Sequence, residues 1–115
     1  MYSVKEIILT EDWDSVKSTF AQFHLTLILK YSSTCAKSHT IKYEISEWLE
    51  KYSSKVPMQL VQLDVKKRPE ISEIISSHFS VSHASPQLII VNTNGTATHF
   101  DNQYDAIDLI LTFRF

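Results

Sequence analysis

Three short apolar runs constrain this chain more than any other feature: "LTLILKY" at Leu25–Tyr31, "MQLVQLD" at Met58–Asp64 and "QLIIVN" at Gln87–Asn92. Each is too short for a stable helix, and too continuously apolar for a strand with one wet face. Such runs read as central strands covered on both sides. The segments between them carry helical periodicity instead. Ile41, Ile45, Trp48 and Leu49 mark the apolar stripe of a helix from Ala36 to about Tyr52. "RPEISEIISSHF" opens with Pro69 near the first helical turn, where its missing N–H costs least. Upstream, "EIIL" (Glu6–Leu9) reads as a further strand. Thr10 or Asp12 then caps a helix on which Trp13, Val16, Phe20 and Phe23 recur at helical spacing. Downstream, "TNG" (Thr93–Gly95) is a hairpin signal with a returning strand at Thr96–Phe100. "QYDAIDLILTF" closes the chain as an amphipathic helix.

The resulting order is β-α-β-α-β-α-β-β-α. Alternation at the start implies parallel strands joined by helical crossovers, and the hairpin adds antiparallel strands. The expected architecture is α/β: a small mixed central sheet flanked by helices on both faces, in one domain over residues 1–115. A chain of 115 residues is long enough to bury an ordinary core. With one glycine and three prolines there is no linker, repeat or low-complexity tract.

Charge and length exclude several classes of partner. The net charge is −2 and the eleven Lys and Arg are interleaved with acids, so no basic nucleic-acid footprint stands out. No apolar run approaches membrane-spanning length. "MYSVKEIILTEDW" places acids where a signal peptide needs an apolar core. A single cysteine cannot close an internal disulfide. The expectation is a cytoplasmic protein with neither a nucleic-acid nor a membrane partner.

That cysteine is the candidate for chemistry. Cys35 lies in "KYSSTCAKSH", just after a central strand and at the start of the long helix. A helix N-terminus offers unpaired N–H groups and the positive end of the macrodipole, which favour the nucleophilic thiolate over the thiol. Ser33 and Thr34 supply hydroxyls able to cap the helix or donate to sulfur, and Lys37 a nearby positive charge. Free cysteines are often small buried hydrophobes, but polar neighbours on both sides distinguish this one. Far downstream, Ser85-Pro86 immediately precedes an apolar strand, and sequence leaves that bond open to either isomer.

A cysteine at a strand-to-helix junction, with a proline before the hairpin's first strand, resembles the thioredoxin-like arrangement. More narrowly, "KYSSTCAKS" and "VSHASPQLIIVNTNG" resemble the YtxJ-type monothiol bacilliredoxins. The family pattern near Thr-Cys-Pro-Ile-Ser reads Thr34-Cys35-Ala36-Lys37-Ser38 here, and His-x-Ser-Pro-Gln is matched by His83, Ser85, Pro86 and Gln87. The resemblance implies a thioredoxin-like fold with a cis Pro86 facing Cys35. It implies that Cys35 attacks mixed disulfides between client proteins and bacillithiol, or another low-molecular-weight thiol, as co-substrate. Ser38 then stands where two-cysteine relatives carry a resolving cysteine, and the backbone around Ser85 and Pro86 binds substrate. No bound cofactor is implied; the partners are S-thiolated proteins and the small thiol. Ala36 and Lys37 depart from the family's proline and aliphatic residue, and "THFDNQYD" departs from its usual order after the hairpin. The alternative is a non-catalytic thioredoxin-like module that docks peptides between Cys35 and Pro86.

Other constellations are weaker. Cys35 and His39 share a helical face, but no second close pair completes a metal site. His83 could approach Cys35 as a base, yet no hydrolase signature accompanies it. A lone glycine in a turn excludes phosphate-cradling loops.

Overall fold

The computed structural model describes residues 2–52 and 57–101 of the chain. The helix expected over 103–113 lies outside the described residues, as do the side chains of Lys37 and Tyr52. The elements run β1 (Tyr2–Glu6), α1 (Thr10–Lys17), a short 3₁₀ turn (Phe20–Gln22), β2 (Leu25–Tyr31), α2 (Ala36–Tyr52), β3 (Met58–Asp64), α3 (Pro69–Phe79), β4 (Gln87–Asn92) and β5 (Ala97–Asp101). Five strands form one mixed sheet in the order β1-β3-β2-β4-β5. β1 and β2 pair parallel with β3, while β4 runs antiparallel to both β2 and β5.

The three apolar runs are the three inner strands, and alternation along them explains their composition. Leu25, Leu27, Leu29, Met58, Leu60 and Leu88 meet Ile41, Ile45, Trp48 and Leu49 of α2 on one face. Ile28, Val61, Leu63 and Ile89 meet Trp13, Phe20, Ile71 and Ile75 on the other. A strand buried on both faces has no solvent side on which to place polar residues. Tyr2 of β1 pairs with Met58 while Leu25 of β2 pairs with the same residue from the other side, which fixes the register of the parallel half.

Three boundaries differ from the sequence reading. The first strand occupies Tyr2–Glu6 rather than Glu6–Leu9. It is an edge strand with mostly exposed side chains, so it needs no apolar run; Ile7 N–H still donates to Gln62 O at 2.9 Å. α1 ends at Lys17, and Phe20 reaches the core from the 3₁₀ turn. Its N-cap position is Leu9, and the Asp12 carboxylate accepts N–H bonds from Ile8 and Leu9 at 3.0 and 2.8 Å. Those two bonds hold the Asp12 carboxyl below its usual range. β5 starts one residue later than expected, at Ala97, because Asn92 to Thr96 are consumed by the turn. Gly95 N–H donates to Asn92 O at 3.0 Å with Gly95 at φ +87°. That φ is open to glycine at little cost.

Candidate functional site

The site lies at the carboxyl ends of β2 and β3, where the chain leaves the sheet for α2 and α3. Cys35 is half-buried and immediately precedes α2. Its carbonyl accepts the His39 N–H at 3.3 Å, so the cysteine itself is the N-cap residue. The N–H groups of the first helical turn therefore have no intrahelical acceptor on the side where the cysteine sits. The preceding loop is held from within. Cys35 N–H donates to Ser32 O at 3.0 Å, and Ser32 N–H donates to the buried Ser38 Oγ at 3.1 Å. Ser38 thus braces the loop that presents the cysteine. His39 turns back to the same loop, with Nε2 2.8 Å from Ser33 O.

Thr34 lies one position outside the cap. Its Oγ1 is hydrogen-bonded to Ser32 Oγ at 3.1 Å and accepts from Lys66 Nζ at 2.7 Å. Lys66 belongs to the β3–α3 loop, whose turn is fixed by Asp64: its Oδ1 accepts from the backbone N–H groups of Lys66 and Lys67. Among the described side chains, Lys66 brings a cation to the cysteine loop from thirty-two positions beyond Thr34, a contact invisible to local sequence reading. Lys37 is in the first turn of α2 by its backbone; its side chain lies outside the described ones.

Tyr31 closes β2 beneath this loop. Its hydroxyl donates to the Glu6 carboxylate at 3.1–3.2 Å, and the Lys42 ammonium sits 4.3 Å from its ring centroid. Burial, then the neighbouring Glu6 charge, pushes the Tyr31 hydroxyl up to about 12, so it remains a donor at neutral pH.

The second arm of the site is the segment joining α3 to β4. The Ser85–Pro86 peptide bond is cis, and Pro86 is buried. Ser85 Oγ is buried without a hydrogen-bond partner among the described residues. Gln87, 1% exposed, holds this segment: its Nε2 donates to Ser82 O and to Asp101 Oδ1, both at 2.8 Å. His83 pairs through Nδ1 with Ser72 Oγ of α3 at 3.1 Å, so its ring is directed to α3.

Beneath that segment lies a buried cation that no motif in the sequence marks. Lys30, on β2, is fully buried on the α3 face of the sheet. Its Nζ donates to Ser72 O at 2.8 Å and to Ser76 Oγ at 2.5 Å. Burial pushes its ammonium down to about 8, against a smaller pull upward from Asp101. Gln87 is the direct cross-strand neighbour of Lys30, and Asp101 that of Gln87. A polar row thus crosses β2, β4 and β5 inside an apolar face. Among the described residues no group of three or more His, Cys, Asp or Glu could hold a metal ion.

A strand-loop-helix cysteine beside a cis-proline segment, on a β1-β3-β2-β4-β5 sheet, defines a thioredoxin-fold protein. Solved structures agree in fold. The chain is similar to a thioredoxin from Nicotiana alata, with 16% identity, TM-score 0.72 and coverage of 97% of this chain and 93% of that one. It is likewise similar to a Schistosoma mansoni thioredoxin, with 20% identity, TM-score 0.70 and coverage of 97% and 99%. Mitochondrial thioredoxin 3 of Saccharomyces cerevisiae aligns with 13% identity, TM-score 0.68 and coverage of 92% and 91%. No curated protein sequence matches the chain. Residues 5–108 match the family described as monothiol bacilliredoxin BrxC. The chain belongs to the monothiol bacilliredoxin family, and with it to the thiol oxidoreductases of thioredoxin fold.

Proposed function

We propose that the chain is a cytoplasmic monothiol disulfide reductase that removes a low-molecular-weight thiol, bacillithiol, from S-thiolated client proteins. Cys35 is the nucleophile. The observation that carries this reading is the placement of Cys35 as N-cap of α2, in a loop braced by Ser38. Helix N–H groups and the macrodipole favour the thiolate there, and Lys66 adds a positive charge one residue away. With serine at position 38, the second sulfur comes from solution.

The chemistry balances as two exchanges. The Cys35 thiolate attacks the small-thiol sulfur of the mixed disulfide; a new S–S bond forms and the client leaves as thiolate. A second small thiolate then attacks the adduct on Cys35, releasing a symmetric small-molecule disulfide and the Cys35 thiolate. The two electrons that reduce the client come from two small-thiol sulfurs, and no bound cofactor takes part. Ser85 and Pro86 line the arm against which the client segment lies, with the Ser85 backbone pairing to it.

Incubation of reduced protein with a bacillithiolated client, followed by intact mass, tests the reading. The expected result is a bacillithiol adduct on Cys35 and a demodified client. Equal demodification by a Cys35→Ser variant would defeat the proposal.

A further inference from the structure

The stretch from Ser82 to Pro86 runs between α3 and β4 with no helix or strand of its own. Its position is set by the bonds that tie it to its surroundings. Among the described residues two side-chain hydrogen bonds do this: His83 Nδ1 with Ser72 Oγ at 3.1 Å, and Gln87 Nε2 with Ser82 O at 2.8 Å. The two differ in setting. His83 is exposed, so water competes for its ring. Gln87 is 1% exposed, and a donor shielded from water holds its acceptor more firmly.

Gln87 also starts from a fixed place. It is the first residue of β4, paired with Lys30 of β2 on one side and with Asp101 of β5 on the other. Its second Nε2 proton goes to Asp101 Oδ1 at 2.8 Å, which sets the orientation of the amide. Asp101 Oδ1 in turn lies 2.9 Å from His99 Nδ1. The amide oxygen of Gln87 is buried with no partner among the described residues. An unpaired buried acceptor is costly, and an apolar side chain of the same length would avoid that cost. What the amide contributes is its two N–H groups, and one of them closes the Ser82–Gln87 stretch into a loop around Ser85 and Pro86.

We infer that Gln87 is a positioning residue for client docking: its N–H holds the Ser82 carbonyl, and with it the Ser85 backbone, where a client segment can pair. The inference rests on the disulfide-exchange reading above, which puts the client against this arm. Cys35 belongs to the other arm, held by Ser32 and Ser38, so its own reactivity does not depend on Gln87. Without the hold the arm samples other positions, and apparent affinity falls by the fraction of time spent in the docking one.

Gln87→Met and Gln87→Glu both remove the donor to Ser82 O, one with an apolar side chain and one with a carboxylate. Asp101→Ala breaks the bond to β5 and leaves the one to Ser82. Each is assayed with a bacillithiolated client under excess bacillithiol, with 2-hydroxyethyl disulfide, which carries no peptide, and by iodoacetamide labelling and thermal melting. Both Gln87 variants should raise KM for the client about fivefold, the worth of one ordinary hydrogen bond. Their kcat, their rate with the small disulfide and their labelling should match wild type. Asp101→Ala should lower the melting temperature and keep the wild-type KM. An unchanged client KM in the Gln87 variants, or an equal rise in Asp101→Ala, would overturn the positioning role and leave the exchange reading standing. Failure of the wild type to take the adduct onto Cys35 would overturn both.

Discussion

Replacing Lys30 with methionine should stabilise this protein, and the gain should vanish in alkali. Lys30 is fully buried, and its ammonium falls from an ordinary value of 10.5 to about 8. At 1.36 kcal/mol per pH unit, that fall corresponds to about 3 kcal/mol of differential interaction. The folded state binds the proton less tightly than the unfolded state does. Below pH 8 both states carry the charge and the whole burial penalty is present. Between pH 8 and 10.5 the folded state has released the proton and the unfolded state has not, so wild-type stability climbs relative to a variant without the group. Above 10.5 neither state is charged and the penalty is gone. Methionine fills a similar volume, and Ser72 O keeps its helical position, so few groups are orphaned by the change. A buried ion replaced by a well-packed apolar side chain is commonly neutral to stabilising. Urea unfolding of both proteins at pH 7, 8, 9 and 10 reads the difference. Lys30→Met is expected to be about 2–3 kcal/mol more stable at pH 7, with the gap shrinking by about 2 kcal/mol or more by pH 10. A gap independent of pH, or a variant less stable at pH 7, would refute the reasoning.

Three further outcomes follow from named contacts. Ser38→Ala leaves the buried Ser32 N–H without its acceptor; a loss of about 1–2 kcal/mol should appear in denaturant melts, with slower adduct transfer to Cys35. Lys66→Ala removes the cation held against Thr34. Iodoacetamide labelling of Cys35 should slow about twofold at low ionic strength and match wild type at 0.5 M salt, because an exposed charge is screened. Trp13 is 1% exposed and packs edge-on against Phe20, His78 and Phe79; Trp13→Ala should cost about 3–5 kcal/mol, read as a fall in the urea midpoint.

Much of this molecule was written locally. The inner strands were legible because a strand covered on both faces needs apolar residues at consecutive positions, and β2, β3 and β4 supply them. α2 and α3 declared themselves by period and by Pro69 at the first turn. Cys35 lies directly before α2 and Ser85-Pro86 directly before β4, positions that the sequence pattern marks as element junctions. β1 was misplaced because an edge strand, exposed along most of its length, carries no apolar signature.

What only the tertiary structure decided is which distant residues meet. Lys66 reaches Thr34 because β2 and β3 are parallel neighbours and their loops emerge at the same edge. Ser38 reaches back to the backbone of Ser32, across the loop that presents Cys35. Lys30 showed in the sequence as one charge at the end of an apolar run, which a strand terminus could have left in solvent. The pairing of β2 with β4 and the crossing of α3 above it turn that charge inward, against Ser72 and Ser76. Local composition dictates which segments bury themselves; sheet order dictates what they are buried against, and the pairing of Lys30 with α3 belongs to the second.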